Sequence, residues 1–241
     1  MNPNALDFKH LAKHYAKNVV LQDIDLDVAT GEFFGLVGMN GAGKTTLIKC
    51  LLDFCEINGG GIEIFGVAHR LTAARRQLAF LPERFMPPYY LTGGDFLRYM
   101  LKLNQLAYDR EEVEEMIGKL DLDLSALTRP VHTYSKGMTQ KLGLAACFLG
   151  KKSLYILDEP MSGLDPKARA LLKSHLRDTH ATGRTLFFSS HSLSDVEEIC
   201  DRMAILHNGR LNFIGTPTQC CQIYQAGNLE QAYLRCIGHV F

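Results

Sequence analysis

The sequence predicts an α/β fold with a mostly parallel sheet, an antiparallel β portion at the N-terminal end and an inserted α-helical subdomain. Short apolar runs alternate with longer amphipathic segments over much of the chain, which is typical of parallel strands joined by crossover helices. Residues 6–28 instead alternate apolar and polar side chains. Residues 85–150 carry apolar side chains at helical spacing and contain no buried-strand run.

Length and composition allow one large α/β domain or two small ones, and they argue against a general polyanion-binding role. The chain has 241 residues, 46% of them hydrophobic and 22% charged, which is enough apolar material for a substantial core. Its 26 Lys and Arg residues balance its 26 Asp and Glu residues, so the formal net charge is zero. A neutral chain lacks the field that attracts nucleic acid, and we expect no nucleic-acid partner.

The first predicted elements are two antiparallel strands, residues 6–15 and 19–28, each with one face in water. Residues 33–37, Phe-Phe-Gly-Leu-Val, then form a continuous apolar run, which is typical of a strand covered on both faces. Similar runs follow at residues 78–81, 154–157, 185–189 and 203–206. Five buried strands separated by helical segments predict a mostly parallel sheet.

Helices are predicted over residues 91–106, 110–120 and 135–149, and shorter helices are predicted after Pro217. The acidic run within residues 111–115 indicates a solvated helix face. The expected organisation is one domain over residues 1–241, comprising an α/β core (1–84 and 152–216), a helical subdomain (85–151) and a short C-terminal extension (217–241).

Neither a membrane span nor a disulfide framework is predicted. The longest apolar stretch, residues 142–149, is far shorter than the roughly 18–20 residues of a spanning helix. Residues 1–4 show no basic segment before an apolar core, so no secretory signal is expected. The seven cysteines have no Cys-x-x-Cys spacing, which favours reduced thiols in the cytoplasm.

A phosphate-binding loop follows the apolar run at 33–37, because the motif Gly-x-x-x-x-Gly-Lys-Ser/Thr lies between a strand and a helix-forming segment. Glycines let backbone N–H groups turn toward phosphates, Lys44 reaches the β- and γ-phosphates, and the Thr45 hydroxyl ligates Mg²⁺. GTPases, kinases, helicases and transport ATPases share this loop, although no Asn-Lys-x-Asp motif supports a GTPase. The predicted nucleotide-binding residues of the loop are Gly38, Asn40, Gly41, Ala42, Gly43, Lys44, Thr45 and Thr46.

Two adjacent carboxylates, Asp158 and Glu159, end the apolar run at 154–157. Neighbouring side chains on a strand point in opposite directions, but the chain turns at the strand's end, so each carboxylate can serve separately. We expect Asp158 to hold the Mg²⁺ shell, usually through water, and Glu159 to polarise a water beside the γ-phosphate. The alternative is a pair of surface acids that cap a helix.

Further motifs resemble those of the ATP-binding cassette (ABC) family. Residues 134–140, Tyr-Ser-Lys-Gly-Met-Thr-Gln, resemble its signature motif, whose usual form is Leu-Ser-Gly-Gly-Gln, and residues 162–165 resemble its D-loop. His191 stands where the family has its switch histidine, and Tyr15 where it has the aromatic residue that stacks on adenine. The resemblance covers residues 6–215 and implies a P-loop NTPase (RecA-like) core.

The resemblance implies a site for ATP and Mg²⁺ that two chains share. Tyr15 and Asp165 would complete the nucleotide-binding set, and His191 would join Lys44 and Glu159 as a catalytic residue. Ser135 and Gly137 begin a helix, so their donors would bind the ATP held by the opposite subunit of a homodimer. On its own, Ser135 would be interpreted as a plain helix cap.

Two positions depart from the usual family pattern. Lys136 replaces the first Gly of the signature and adds a positive charge near the partner's phosphates. Glu83 stands where the family usually has Gln, and it is interpreted either as a Mg²⁺ ligand or as a hinge residue only. Both forms resemble the ABC-2-like branch, which exports drugs, lipids or polysaccharides.

The function implied by the resemblance is that of the ATP-binding and ATP-hydrolysing subunit of an ABC transporter. It would dimerise on Mg-ATP and drive transport, with export favoured over import, through an integral-membrane permease on a separate chain. We expect it in the cytoplasm, peripheral on the cytoplasmic face of the inner membrane. One alternative is a soluble ABC ATPase outside transport; another is a non-hydrolysing module, which predicts loss of Lys44, Glu159 or His191.

Overall fold

The computed structural model describes residues 4–239; residues 1–3, on which the signal-peptide expectation largely rests, and residues 240–241 lie outside that range. In chain order the described residues form β1 (Asn4–Tyr15), β2 (Asn18–Ala29), β3 (Phe33–Val37), α1 (Lys44–Leu51), β4 (Gly59–Ile64), β5 (Val67–Ala68), β6 (Leu78–Leu81), α2 (Gly93–Leu103), α3 (Arg110–Lys119), α4 (Lys136–Leu149), β7 (Leu154–Asp158), α5 (Pro166–Ala181), β8 (Thr185–Ser190), α6 (Leu193–Ile199), β9 (Arg202–His207), β10 (Arg210–Gly215), α7 (Pro217–Ile223) and α8 (Leu229–Cys236).

A six-stranded sheet in the order β10-β9-β3-β8-β7-β6 forms the centre of the molecule. All neighbouring strands are parallel except the antiparallel pair β9 and β10, so the predicted mostly parallel sheet is confirmed. The expectation of five buried strands is wrong for β6, of which only Leu81 is fully buried, because β6 lies at the sheet edge. Strand β10 is not predicted from the sequence, because its short alternating pattern lacks an apolar run.

A four-stranded antiparallel sheet, in the order β2-β1-β4-β5, confirms the antiparallel N-terminal portion. Its strand β4 is not predicted, because it begins with three glycines that read as a turn. Gly60 has a φ of +77°, and a Cβ there would lie 2.2 Å from the Lys9 carbonyl oxygen. Glycine is therefore what lets β4 approach β1.

The central strand β3 contributes to two hydrophobic clusters, which explains its continuous apolar run. Phe33 and Val37 join the cluster that also contains side chains of α4, α5 and α6. Phe34 and Leu36 join the cluster formed with α1 and the antiparallel sheet, where the Phe34 and Phe187 rings stack with centroids 5.9 Å apart. β3 is buried on both faces and holds the phosphate-binding loop rigidly at its end.

Helices α2, α3 and α4 occupy the chain between β6 and β7, where the helical insertion is predicted. Within α4 every residue from Gln140 to Leu149 is buried, as expected for the apolar run at 142–149. These helices share one hydrophobic cluster with the central sheet. The subdomain boundaries at 84/85 and 151/152 stay a prediction.

The C-terminal helices α7 and α8 are short, as predicted. α7 begins with a capping box between Thr216 and Gln219, and α8 buries Leu229, Ala232 and Tyr233 in the cluster that contains Phe33. Within residues 4–239, no helix combines the length and apolar character that crossing a membrane requires.

Candidate nucleotide-binding site

The phosphate-binding loop connects the carboxyl end of β3 to α1 and encloses a cavity of about 240 Å³. A Cβ at Gly38 would lie 2.6 Å from the Leu206 carbonyl oxygen. Gly43 has a left-handed φ of 113° immediately before α1. Both positions therefore require glycine. The cavity is lined by Val20, Met39, Asn40, Gly41, Gly43, Lys44, Thr45, Thr46, Glu83 and Glu159.

Helix α1 directs its N-terminus at this cavity. Its N-cap residue, Gly43, has no side chain, so no side chain caps the first N–H groups of the helix. The ammonium group of Lys44 is buried and donates to the Gly38 carbonyl oxygen at 2.6 Å. A helix N-terminus beside an ammonium group is an arrangement that binds phosphate.

The ends of β7 and β8 meet the first turn of α1 on the floor of the cavity and fix the position of Asp158. The Thr45 hydroxyl donates to Asp158 Oδ2 at 3.1 Å, and the Ser189 hydroxyl donates to Asp158 Oδ1. Burial raises the pKa of Asp158, and the nearby charge of Glu83 raises it further, while these two hydrogen bonds oppose the shift. The carboxylate is held ready to accept positive charge.

Glu159 turns away from the strand and lines the cavity, whereas Asp158 is not among the lining residues and reaches the site through its hydrogen bond with Thr45. Its φ of 51° is left-handed, and its backbone N–H donates to Ser189 Oγ at 3.0 Å. Glu159 Oε1 lies 3.4 Å from Lys44 Nζ, and Glu159 Oε2 lies 2.8 Å from His191 Nδ1. An ionised carboxylate only accepts hydrogen bonds, so the tautomer of His191 that fits this contact carries a proton on Nδ1.

The donor set on this floor fits Mg²⁺. Thr45 and Asp158 offer a hydroxyl and a carboxylate within one hydrogen bond of each other, and Glu83 lines the same cavity. Hard oxygen donors of this kind, together with phosphate oxygens and water, are what Mg²⁺ prefers. The buried Glu159 Oε1 has no hydrogen-bond partner. That oxygen remains free to accept from a water.

Tyr15, at the end of β1, is half-exposed and lies next to α1, the helix that follows the phosphate-binding loop. Its hydroxyl faces the Thr46 side chain and the Cys55 thiol. Lys13 Nζ lies 4.5 Å from the centroid of the Tyr15 ring and donates to the Glu56 carbonyl oxygen at 2.7 Å. One face of the ring thus packs against a cation.

Ser135, Gly137 and Asp165 are absent from the residues that line the cavity within the described chain. Ser135 caps α4 by accepting from the Met138 N–H at 3.2 Å, and Asp165 caps α5 by accepting from the Ala168 N–H at 2.9 Å. Both capping residues are exposed to solvent. Within one chain, Ser135 therefore acts as a helix cap, as its alternative interpretation expects.

The signature segment and the D-loop segment pack against each other. Lys136 Nζ donates to Ser162 Oγ at 3.1 Å, and a Cβ at Gly137 would lie 2.9 Å from the Gly163 carbonyl oxygen. Buried Gln140 Nε2 donates to the Pro160 carbonyl oxygen at 3.1 Å. These contacts tie the start of α4 to the turn that carries Glu159.

Two residues that contact the site are not predicted from the sequence. Ser189 bridges Asp158 and Glu159, and Lys13 packs on Tyr15. The signal for Ser189 is its place at the carboxyl end of a buried strand just before His191. Nothing in the sequence around Lys13 distinguishes it from a solvated lysine.

Comparisons with known proteins identify the family. The model of the family described as ABC transporter matches residues 21–162. An uncharacterized ABC transporter ATP-binding protein of Nostoc sp. is 39% identical over 81% of this chain and 59% of its own length. The Nod factor export ATP-binding protein I of Rhizobium leguminosarum is 33% identical over 90% of this chain and 71% of its own.

A solved structure agrees with these sequence matches. The structure of an ATP-binding subunit of an ABC transporter superposes with a TM-score of 0.84 at 32% identity, covering 96% of this chain and 99% of that one. The chain belongs to the ABC transporter family and has the fold of its ATP-binding subunits, as the resemblance implies. It spans little more than half the length of the Nostoc relative, 59%.

Proposed function

We propose that this chain is the ATP-hydrolysing subunit of an ABC transporter. The observation that carries the proposal is the position of Glu159, which lies between Lys44 and His191 at the floor of the cavity. A carboxylate beside a phosphate-binding lysine is placed to receive a proton from the water that attacks the γ-phosphate. Glu159 Oε1 contacts the Lys44 ammonium group but has no hydrogen-bond partner, so it can still accept a hydrogen bond from a water.

Lys44 binds the β- and γ-phosphates of ATP. In the free chain its ammonium group is held by the Gly38 carbonyl oxygen and lies near Glu159. Phosphate oxygens carry more charge than a carbonyl group, so the flexible side chain exchanges that carbonyl for them. Asn40, Gly41, Gly43 and Thr46 line the same cavity and surround the phosphates, while Gly38 and Ala42 shape the loop.

His191 orients the general base. Its Nδ1–H donates to Glu159, and a proton on Nε2 as well would let the same ring donate to the γ-phosphate. Thr45, Asp158 and Glu83 would hold Mg²⁺, which supplies positive charge that neutralises the phosphate oxygens when it is bound. Glu83 lines the cavity. Its assignment as a Mg²⁺ ligand, and not only as a hinge residue, rests on the affinity of carboxylate oxygens for Mg²⁺.

Two copies of the chain complete two ATP sites. Ser135 and Gly137 lie at the N-terminus of α4, a fourteen-residue helix, and Ser135 is exposed. In a head-to-tail dimer, this helix end reaches the γ-phosphate held by the partner, and Asp165 lies at the same face. Tyr15 stacks on the adenine. The homodimer thus takes Lys44 and Glu159 from one copy and Ser135 from the other.

The partner that transports the cargo is an integral-membrane permease on a separate chain. A groove of about 670 Å³ between the segment after β6 and the start of α4 suits a helix from it. Met86 and Tyr89 on this groove are 86% and 71% exposed, which leaves apolar surface to cover. Glu83 lines both this groove and the nucleotide cavity, so docking and ATP binding share a residue.

The name of one relative and two residues of this chain favour export over import as the direction of transport. The Rhizobium relative is named for Nod factor export, and the Lys136 and Glu83 forms resemble the ABC-2-like branch. The complex would stand at the cytoplasmic face of the inner membrane.

Purification of the tagged chain from native membranes, followed by identification of the membrane protein that accompanies it, tests the partnership. Recovery of the chain without any membrane protein would favour the soluble ABC ATPase.

ATP binding and hydrolysis are tested by Lys44→Ala, with exposed Lys49→Ala on the same helix as the matched control. We expect Lys44→Ala to abolish productive ATP binding, because the loop contains no other lysine or arginine side chain. Lys49→Ala should retain both affinity and turnover. Unchanged nucleotide affinity and turnover in Lys44→Ala would contradict the proposed function.

A further inference from the structure

A pair of thiols lies at the C-terminal end of α1. Cys50 is in the last turn of α1 and Cys55 is in the segment between α1 and β4. Their sulfur atoms are 3.5 Å apart. Cys50 is fully buried, whereas Cys55 is partly exposed. The two thiols are free but already in contact, so closing a bond between them requires a movement of only about 1.5 Å toward the S–S length of about 2.05 Å.

The thiol pair is connected to the nucleotide site through Tyr15 and α1. The Tyr15 hydroxyl faces both the Cys55 thiol and Thr46. Thr46 and Cys50 are four residues apart in α1 and thus lie on one face of the helix. The segment that carries Cys55 is also held to β1, because Lys13 Nζ donates to the Glu56 carbonyl oxygen at 2.7 Å.

We propose that Cys50 and Cys55 form a reversible disulfide that weakens ATP binding by displacing Tyr15. The effect on ATP rests on the proposed function, in which Tyr15 stacks on adenine; formation of the disulfide does not. Moving the Cys55 sulfur toward Cys50 withdraws the group that the Tyr15 hydroxyl faces. The Tyr15 hydroxyl then keeps only Thr46 of these two neighbours, and the ring shifts from its place.

A hydroperoxide is the oxidant that converts the two thiols into the disulfide. The partly exposed Cys55 thiolate attacks the peroxide, the O–O bond breaks, and Cys55 becomes a sulfenic acid while one molecule of water or alcohol leaves. The Cys50 sulfur then attacks the Cys55 sulfur, the S–O bond breaks, and a second water leaves with the Cys50 proton. Burial raises the pKa of Cys50 to about 12, so Cys50 acts second, as the resolving thiol.

The experiment treats the full chain with hydrogen peroxide and follows two readouts. Peptide mass spectrometry without reduction maps the linkage, and equilibrium binding of ATP measures affinity before and after dithiothreitol. We expect a Cys50–Cys55 linkage and an ATP affinity that falls about 2- to 10-fold, the range of one aromatic stacking contact, and recovers on reduction. Absence of the linkage, or a linkage with unchanged affinity, overturns the proposal.

Variants separate this pair from the other cysteines. Cys55→Ser keeps a hydroxyl near Tyr15, and we expect its ATP affinity to be insensitive to peroxide. Cys221→Ser, at a partly exposed cysteine of α7, is the matched control and should respond as the unmodified chain does. A Cys55→Ser chain that still loses affinity on oxidation overturns the proposal. A reduced chain without ATP affinity overturns the proposed function instead, while the linkage map still decides on the disulfide.

Discussion

The backbone conformation of Glu159 lets two neighbouring residues at the end of β7 serve one site. Its left-handed φ of 51° is uncommon for a residue with a side chain. It occurs where β7 ends, and Ser189 stabilises it by accepting the Glu159 N–H and donating to Asp158. Glu159 therefore lines the cavity while Asp158 bonds to Thr45 at the same site, although neighbours on a strand point to opposite faces.

Replacing Glu159 with Gln separates binding from hydrolysis. We expect Glu159→Gln to bind ATP normally and to hydrolyse it about 10²-fold or more slowly, because an amide cannot take the proton of the water. The ATP-bound dimer should accumulate and elute earlier in size-exclusion chromatography. Turnover like that of the unmodified chain, without such a dimer, would move the general base elsewhere.

His175 gives the stability of the chain a dependence on pH. Burial lowers its pKa, Lys119 lowers it further, and Asp178 opposes the shift. An unfolded histidine keeps the ordinary pKa of about 6.5, so the unfolded chain binds the proton more readily. The free energy of unfolding should therefore decrease as the pH falls below about 6.5.

His175→Phe keeps the aromatic contact with Phe148, whose ring centroid is 4.4 Å away, and removes the titrating group. We expect the free energy of unfolding to fall less between about pH 7.5 and pH 5.5 in this variant, as measured with urea. Exposed His132→Phe is the control and should keep the pH dependence of the unmodified chain. An identical pH dependence in His175→Phe would contradict the assignment.

At the scale of elements, α4 is the helix whose packing fixes both the signature segment and the edge of the sheet. Gly143 lies on its buried face, where a Cβ would be 2.6 Å from Leu81 Cδ1 and 2.7 Å from Phe85 Cδ1. Gly118 lies in α3, where a Cβ would meet nothing within 4 Å. Both glycines lie within helices, Gly143 in the middle of α4 and Gly118 in the last turn of α3, and their surroundings are opposite.

The same substitution at these glycines should have opposite effects. Gly143→Ala is expected to lower the free energy of unfolding by about 1–3 kcal/mol, because it overpacks the contact with β6. Gly118→Ala should raise it by about 0.5–1 kcal/mol, because alanine loses less backbone entropy in a helix. Urea unfolding of both variants measures the difference. A stabilising Gly143→Ala would contradict the packing of α4 against Leu81.

Elements with strong periodicity are predictable from this sequence, and those set by tertiary contacts are not. The apolar runs predict the five strands β3, β6, β7, β8 and β9, and both ends of α4 fall within one residue of expectation. β4 is missed because Gly60 is required by a contact with β1, not by a turn. The roles of Ser189 and Lys13 depend on strand neighbours that no local pattern reveals.

At the scale of the whole molecule, the described chain contains all the predicted site residues but brings only part of them together. Lys44, Thr45, Asp158, Glu159 and His191 form one connected set. Ser135, Gly137 and Asp165 lie together at a separate, exposed surface, where their segments contact each other. In the proposed homodimer, a second copy of the chain would supply what one copy lacks at each site.

The most direct test of this shared site mixes two inactive variants. Lys44→Ala lacks the phosphate-binding lysine, and Ser135→Arg places bulk and charge at the partner's phosphate. Each alone has two damaged sites in its homodimer. In the mixed dimer, one site combines Lys44 of one chain with Ser135 of the other, so it is intact.

The measurement is the ATPase rate of an equimolar mixture compared with each variant alone. Half of the dimers are mixed and each has one intact site, so we predict about a quarter of the unmodified rate, while both variants alone remain inactive. Ser135→Arg alone should still bind ATP as a monomer. A mixture no more active than its components at any ratio, with ATP binding by Ser135→Arg intact, would contradict the shared site.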